Sequence, residues 1–131
     1  MGFMNILQSI GIVSLGAAFG ASSRYLISLV LNPLVSTLAF GTLISNYLGC
    51  FIIGLLLAVF AHFPEISPQW KLLLVTGFLG SLTTFSSFSA EVFEYLNGEK
   101  WLMGLEIIGL HLIGGLGFTA IGFYLWKAFV A

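Results

Sequence analysis

Charged residues are scarce in this chain. Of its 131 residues only 7% are charged, none is aspartate, and lysine and arginine together number four. A soluble domain of ordinary composition carries about 25% charged residues, because they cover the surface that faces water. A surface that faces lipid needs no such cover, and 59% of the residues here are hydrophobic. The composition therefore excludes a water-soluble protein and indicates an integral membrane protein.

Basic clusters, cysteine pairs and catalytic motifs are also missing. Four dispersed cations provide no patch for nucleic acid or for a polybasic lipid anchor. The single cysteine, Cys50, cannot form an internal disulfide, and we interpret it as a small packing residue. His62 and His111 lack partners at metal-ligand spacing, and no phosphate-binding glycine loop is present. We therefore expect a protein that is not an enzyme, has no catalytic metal centre and binds no nucleic acid.

Four long apolar stretches separate along the chain. They cover about residues 6–31, 38–63, 70–95 and 101–130, and Pro, Asn or Gly stands in the breaks between them. Each exceeds the roughly 20 apolar residues that cross a bilayer as a helix, and none alternates as barrel strands do. We predict an all-α integral membrane protein in which residues 1–131 form a single domain of four transmembrane helices.

Glycine is abundant, with 16 residues in the chain. Gly16 and Gly20 share a face of the first span, and six more glycines lie along the fourth: Gly104, Gly109, Gly114, Gly115, Gly117 and Gly122. Small faces of this kind let the backbones of membrane helices approach closely. We predict that most of these glycines pack helices together.

Lysine and arginine are divided evenly between the two sides of the predicted bundle. Lys71 and Lys127 fall on the side of the N-terminus, and Arg24 and Lys100 fall on the other. Because an excess of positive charge sets the orientation of a membrane protein, an even division removes the preference. We predict dual topology, in which copies insert both ways up, and an antiparallel homodimer with a twofold axis in the membrane plane.

The third span is the most polar of the four. Six serine and threonine residues lie between positions 81 and 89, directly after Gly77 and Gly80, which we interpret as a helix-interrupting pair near the midpoint. One interpretation is a third helix broken at mid-membrane, whose freed carbonyls coordinate a small hard cation. The other is an unbroken helix whose hydroxyls bond the carbonyls four residues earlier. The residues alone leave both interpretations open.

Two aromatic side chains and one amide are candidates for contact with an ion. Phe85 and Phe88 share a face of the third span with the hydroxyls, and their ring edges carry the positive end of the aromatic quadrupole, which favours a small anion. Asn46, inside the second span, either donates its two N–H groups to a ligand or joins helices. Arg24 either snorkels to the headgroups or stands at a vestibule. Further polar side chains in or near the ends of the spans are Glu91, His111 and Thr119.

Three segments combine these residues into motifs. They are Gly20-Ala21-x2-Arg24-Tyr25 on the first span, Gly41-Thr42-Leu43-x2-Asn46-x2-Gly49 on the second, and Gly77-Phe78-x-Gly80-x2-Thr83-Thr84-Phe85-Ser86-x-Phe88-Ser89 on the third. These motifs closely resemble those of the Fluc/CrcB fluoride channels of bacteria. The resemblance covers essentially the whole chain in length and in number of spans. The sequence departs from the family pattern at Ser81, Cys50 and Gly115.

The resemblance implies a function and an assembly. The protein would be a fluoride-specific ion channel of the bacterial cytoplasmic (inner) membrane, exporting fluoride passively and so relieving its toxicity. Two antiparallel copies in the lipid bilayer would form two pores around one structural sodium ion, which is not transported. No energy-coupling domain is needed, because a membrane potential that is negative inside favours exit of an anion by roughly 2.3 kcal/mol per charge per 100 mV.

The resemblance also implies roles for individual residues. Asn46 would donate to fluoride, and Phe85 and Phe88 would form an aromatic box around it. The backbone carbonyls of Gly80 and Thr83 would bind the sodium ion. Arg24 and Glu91 would stand at the vestibule, and the remaining pore residues would be Thr84, Ser86, Ser87, His111 and Thr119.

Three other kinds of protein are alternatives to a homodimeric channel. A small drug exporter or proton-coupled exporter needs an acidic residue in the membrane interior, and the first span has none. A membrane scaffold protein explains the glycines but leaves the polar third span without a purpose. A heterodimeric channel would be completed by a paralogous subunit. The presence of Asn46, Phe85 and Phe88 together in this one chain argues against it.

Overall fold

The structure is a computed structural model that describes residues 2–130. Its elements in chain order are α1 (Phe3–Leu31), a short 3₁₀ turn (Asn32–Leu34), α2 (Phe40–His62), α3 (Pro68–Lys71), a π-helical segment (Leu72–Leu79), α4 (Gly80–Leu82), α5 (Phe85–Asn97) and α6 (Trp101–Val130).

Four helical stretches are long and apolar enough to cross a membrane. They are Asn5–Leu34, Phe40–His62, Pro68–Asn97 and Trp101–Val130, and the third of them contains α3, the π-helical segment, α4 and α5. Residues 2–130 contain no β-strand. The structure therefore confirms the prediction of an all-helical chain with four membrane-spanning helices.

The third span extends beyond the predicted range at both ends. It begins at Pro68 rather than at residue 70, because proline fits the first turn of a helix, where a backbone N–H has no partner in any case. It ends at Asn97 rather than at residue 95, and the N–H of the following Gly98 closes the last turn on the carbonyl of Glu94.

Close backbone approaches hold the bundle together. α2 lies along α6, and α1 lies along the π-helical segment and α4. A Cβ atom on Gly54 would lie 2.0 Å from the carbonyl oxygen of Thr119, and one on Gly20 would lie 2.1 Å from that of Phe78. The predicted packing role holds for Gly16, Gly20, Gly104, Gly114, Gly115 and Gly122, whereas a Cβ on Gly109 or Gly117 would meet nothing within 4 Å.

Large apolar side chains cover the outside of the bundle. Ile113, Leu116 and Phe129 are 77%, 73% and 79% exposed, whereas the hydroxyl-bearing Ser45 is fully buried. This distribution suits a surface that faces lipid, because lipid tails do not drive apolar side chains inward as water does.

The third span is interrupted between α4 and α5. Thr83 (φ −93°, ψ 157°) and Thr84 (φ −149°, ψ 118°) have extended backbones, so the helix stops at Leu82 and restarts at Phe85. The two glycines that we interpreted as the interrupting pair remain helical, since Gly77 lies in the π-helical segment and Gly80 has φ −60° and ψ −26°. The interruption falls instead on two β-branched residues, whose side chains favour extended backbone.

Gly77 is required for helix packing and not for the interruption. A Cβ atom at this position would lie 2.6 Å from the carbonyl oxygen of Val13 on α1. The absence of a side chain at Gly77 therefore lets α1 and the π-helical segment approach each other closely.

Candidate functional site

The side-chain amide of Asn46 on α2 hydrogen-bonds the backbone at the interruption of the third span. The side-chain oxygen Oδ1 of Asn46 accepts a hydrogen bond of 2.8 Å from the backbone N–H of Thr84, and its Nδ2 donates one of 3.2 Å to the Thr84 carbonyl. Both backbone groups of Thr84 are thereby satisfied without helix or water, as is required for irregular backbone within a membrane. We call this arrangement the Asn46 clamp.

The interruption deprives carbonyl groups of their usual helical partners, among them those of Gly80 and Thr83. In an unbroken helix the N–H of Thr84 donates to the carbonyl of Gly80, but here it donates to Asn46. The N–H of Ser87 likewise donates to the hydroxyl of Thr84, at 3.2 Å, instead of to the carbonyl of Thr83. The oxygens of Gly80 and Thr83 are the ones to which the resemblance assigns a cation.

Arg24 caps the carboxyl end of α4. Its Nε donates a hydrogen bond of 3.0 Å to the carbonyl of Ser81, and the side chain is half-buried. The partial negative charge at the end of a helix favours a cation there. The sequence is compatible with an arginine that snorkels to the headgroups or stands at a vestibule; in the structure Arg24 lies on the backbone of the interrupted span.

An open groove of about 420 Å³ lies beside the interruption. The rings of Phe85 and Phe88 meet edge to face in it, with centroids 5.5 Å apart. Phe88 is 8% exposed and Phe85 is 75% exposed, so the pair joins the interior of the bundle to its surface. The predicted site residues that the groove brings together are Asn46, Gly80, Thr83, Thr84, Phe85, Phe88 and His111.

His111 reaches this groove from α6. Its Nδ1 lies 3.1 Å from Nδ2 of Asn46, and its ring packs on that of Phe88 with centroids 4.6 Å apart. Asn46 therefore directs one N–H toward Thr84 and the other toward His111. The donor groups that the resemblance assigns to fluoride are both engaged within the protein in this structure.

A second, more polar cavity of about 590 Å³ lies between the start of α2 and α5. Glu91 lines it and accepts a hydrogen bond of 2.6 Å from the N–H of Ala39, the residue that caps α2, while its other oxygen is buried without a partner. Tyr95 donates its hydroxyl to the carbonyl of Thr37. Glu91 thus lines the polar cavity and holds the start of α2 through its bond to Ala39, while its vestibule role stays a prediction.

The remaining predicted pore residues lie apart from the groove. Ser87 lines the polar cavity, and Ser86 is exposed with its hydroxyl 3.2 Å from that of Thr84. Thr119 donates to the carbonyl of Gly115, at 3.1 Å, and lines neither cavity. The structure therefore does not bring Thr119 to the interruption.

Two of the residues that depart from the family pattern, Cys50 and Gly115, lie next to each other. A Cβ atom on Gly115 would lie 3.3 Å from the sulfur of Cys50, which lines the groove. Glycine on α6 thus leaves room for the larger sulfur atom of cysteine on α2.

Two residues that hydrogen-bond a helix end or a neighbouring helix, Asn32 and Tyr47, were not predicted from the sequence. Asn32 accepts a hydrogen bond of 2.8 Å from the N–H of Gly41, and Tyr47 donates one of 2.5 Å to the carbonyl of Leu110, next to His111. Asn32 before a proline was a signal for a capping role. Tyr47 gave none, because its partner lies 63 residues away in the sequence.

The chemistry of the groove comes from neutral groups. Its lining contains no carboxylate, lysine or arginine, and among the described residues no group of three His, Cys, Asp or Glu side chains could hold a metal ion. Amide, hydroxyl, imidazole and ring-edge groups meet instead beside freed backbone carbonyls. The fold and site define a multi-pass membrane protein with a polar, uncharged site at an interrupted helix.

The chain belongs to a known family of such proteins. The family model described as "CrcB-like protein, Camphor Resistance (CrcB)" matches residues 11–123. A protein of Histophilus somni (strain 2336) is 52% identical over 126 residues, which are 96% of this chain and 99% of that protein. A protein of Pasteurella multocida (strain Pm70) is 54% identical over 124 residues, covering 95% and 97%.

The names of these relatives agree with the resemblance seen in the sequence. Both are named "Fluoride-specific ion channel FluC", as is a protein of Mannheimia succiniciproducens that is 57% identical over 119 residues, covering 91% of this chain and 94% of its own. The family is one of ion channels, which confirms the prediction that this chain is not an enzyme.

Proposed function

We propose that this protein is a fluoride-specific ion channel through which fluoride leaves the cell passively. The observation that carries the proposal is the uncharged groove at Thr83–Thr84, where amide, hydroxyl and ring-edge groups converge. The names of relatives at 52–57% identity support the choice of fluoride over other anions.

The groove suits the chemistry of fluoride. This ion is small and strongly hydrated, so a pore has to replace its water shell with several donors without holding it too tightly. Asn46 and the edges of Phe85 and Phe88 are such donors, because they carry partial and not full positive charge. For fluoride to bind Asn46, it has to take over an N–H that now points to Thr84 or His111.

We propose a bacterial inner-membrane location and outward flow on electrical grounds. The cytoplasmic side of that membrane is negative, which favours exit of an anion by roughly 2.3 kcal/mol per 100 mV. A passive channel is therefore sufficient to lower cytoplasmic fluoride and relieve its toxicity.

We propose further that the working form is a dual-topology, antiparallel homodimer with two pores. The exposed ring of Phe85 and the exposed Gly80 lie at the open side of the groove, where a second copy has room to cover them. Near-equal numbers of lysine and arginine toward the two sides of the bundle support insertion in both orientations.

We propose that the third span is broken at the middle of the membrane and that a structural sodium ion binds there. The extended Thr83 and Thr84 support the break, and the carbonyls of Gly80 and Thr83, deprived of helical donors, are the hard oxygen ligands that suit sodium. The carbonyls of Gly80 and Thr83 would hold this ion, which would supply positive charge between the two copies and would not be transported.

The channel proposal is tested with purified protein in liposomes loaded with fluoride. A fluoride electrode should record efflux far faster than from empty vesicles, while chloride, measured in parallel, should stay inside. Fluoride retention equal to that of empty vesicles, or chloride efflux at the same rate, would contradict the proposal.

A further inference from the structure

The contact between His111 and the Asn46 clamp fixes the protonation state of the imidazole. Oδ1 of Asn46 already accepts from the N–H of Thr84, so the group that faces His111 is the donor Nδ2, 3.1 Å from the ring nitrogen Nδ1. Two donors cannot share a hydrogen bond, so Nδ1 has to be the acceptor. The ring is therefore neutral in this structure and carries its proton on Nε2.

His111 completes the hydrogen bonding of Asn46. The amide makes two bonds to the backbone of Thr84, and the bond to His111 uses its last donor. The ring of His111 is in turn held against Phe88, with centroids 4.6 Å apart. One imidazole thus connects the aromatic pair to the amide that binds the interruption.

Among the described residues, no carboxylate lines the groove that His111 reaches. α6 packs against α2 and α5, and of their titratable groups Tyr47 donates to the backbone of Leu110 while Cys50 lines the groove. Glu91 is bonded to Ala39 and belongs to the polar cavity. The other titratable groups of these helices line the polar cavity (Glu94, Tyr95), a separate surface pocket (Glu106) or neither the groove nor the polar cavity (His62, Tyr124, Lys127).

We propose that His111 is a positioning residue for conduction, which holds Asn46 on Thr84 only while its ring is neutral, so that protonation lowers fluoride current. This proposal rests on the proposed function. A protonated ring presents an N–H to the N–H of Asn46, which breaks the contact and loosens the clamp. It also places a full positive charge beside the groove, where a fluoride ion is held instead of passed on.

The clamp is tested first without any fluoride. The chain has two histidines, so the His62→Gln variant leaves one imidazole, whose two nitrogens nitrogen-15 NMR can distinguish in detergent or lipid. We expect a neutral ring with the proton on Nε2 and an unprotonated, hydrogen-bonded Nδ1. In His62→Gln/Asn46→Ala the signature of the hydrogen bond should be lost. A proton on Nδ1 in the His62→Gln protein would overturn the proposal.

The effect on conduction is tested by electrical recording in planar bilayers, because neutral hydrogen fluoride carries no current. We expect several-fold less fluoride current at about pH 5.5 than at about pH 8, the interval in which imidazole side chains titrate. His62→Gln, at the exposed end of α2, is the matched control and should retain this profile. In His111→Gln, whose carbonyl can accept from Asn46 but cannot titrate, the current should no longer depend on pH.

Two results separate this proposal from the proposed function. A pH profile that is unchanged in His111→Gln would overturn the role of His111 while leaving the channel intact. If the ring is protonated on Nε2 but the chain passes no fluoride current at any pH, the proposed function is wrong. The effect of His111 on conduction is then wrong as well, whereas its hydrogen bond to the Asn46 clamp is retained.

Discussion

Asn46 links three parts of the bundle through one side chain. Its amide connects α2 to the backbone of Thr84 and to the ring of His111 on α6. A membrane interior offers no water to replace these partners, so a change at this position affects the structure and, under the proposed function, the ion path.

Replacing Asn46 by aspartate should abolish fluoride flux. Asn46→Asp keeps an acceptor for the N–H of Thr84 but offers no N–H to the carbonyl of Thr84 or to fluoride, and it adds a negative charge to an anion path. Fluoride efflux from liposomes measures the loss, and size-exclusion chromatography in detergent checks that the assembly still forms. Flux equal to that of the unchanged protein would place the path elsewhere.

Replacing Phe85 by isoleucine should abolish flux with little effect on stability. The ring is 75% exposed, so the core loses few contacts, whereas the positive ring edge facing the groove disappears. Phe129→Ile is a suitable control, because Phe129 is 79% exposed near the end of α6 and lines neither cavity. Equal flux through the two variants would argue against an aromatic role at Phe85.

At the scale of the elements, the sequence predicted the chemistry of the third span better than it predicted the contacts of that span with its neighbours. Its hydroxyl run and the spacing of Phe85 and Phe88 predicted a polar, aromatic segment, and the structure places Thr83, Thr84, Phe85 and Phe88 at the groove. The sequence places a possible break near the span midpoint, and the structure has extended backbone at Thr83 and Thr84, whereas the two glycines, interpreted as the interrupting pair, stay helical.

Contacts between distant residues could not be predicted from the sequence. The partner of Arg24 is 57 residues away, and that of Glu91 is 52 residues away. Periodicity indicates which face of a helix a side chain occupies, but it does not identify the backbone group that the neighbouring helix presents.

The crossing of α2 and α6 should tolerate no side chain at Gly54. In Gly54→Ala the new Cβ would lie 2.0 Å from the carbonyl oxygen of Thr119, so the helices have to move apart, at a cost of about 1–3 kcal/mol. Thermal unfolding in detergent, followed by tryptophan fluorescence, measures the loss. Gly117→Ala, which meets nothing within 4 Å, should leave the protein as stable as before or raise its free energy of unfolding by about 0.5–1 kcal/mol, because alanine favours a helix more than glycine does. Equal unfolding temperatures for the two variants would contradict this packing.

At the scale of the whole molecule, the structure changes the number of lysine and arginine residues that count toward the prediction of dual topology. Arg24 lies inside a span and bonds the carbonyl of Ser81, so it is not a loop charge. The cations left near the ends of spans are Lys71 and Lys127 on one side and Lys100 on the other. A difference of one charge still gives a weak orientation signal.

Dual topology predicts that a single site near a span end is reached from both sides of the membrane. Replacing the one cysteine by Cys50→Ser and adding Gly98→Cys creates a unique label in the last loop and leaves all four cations in place. A membrane-impermeant thiol reagent should label about half of the molecules from outside intact cells and the rest only after lysis. Labelling that is complete from outside, or absent there, would show one fixed orientation.

The most direct test of fluoride selectivity is the reversal potential of the current in a planar bilayer. Both chambers contain the same total anion concentration, with a tenfold fluoride gradient balanced by chloride. A fluoride-specific channel should reverse at the fluoride equilibrium potential, about 59 mV from zero for a tenfold gradient of a monovalent ion. Reversal near zero, which shows that chloride passes as readily as fluoride, would contradict the account.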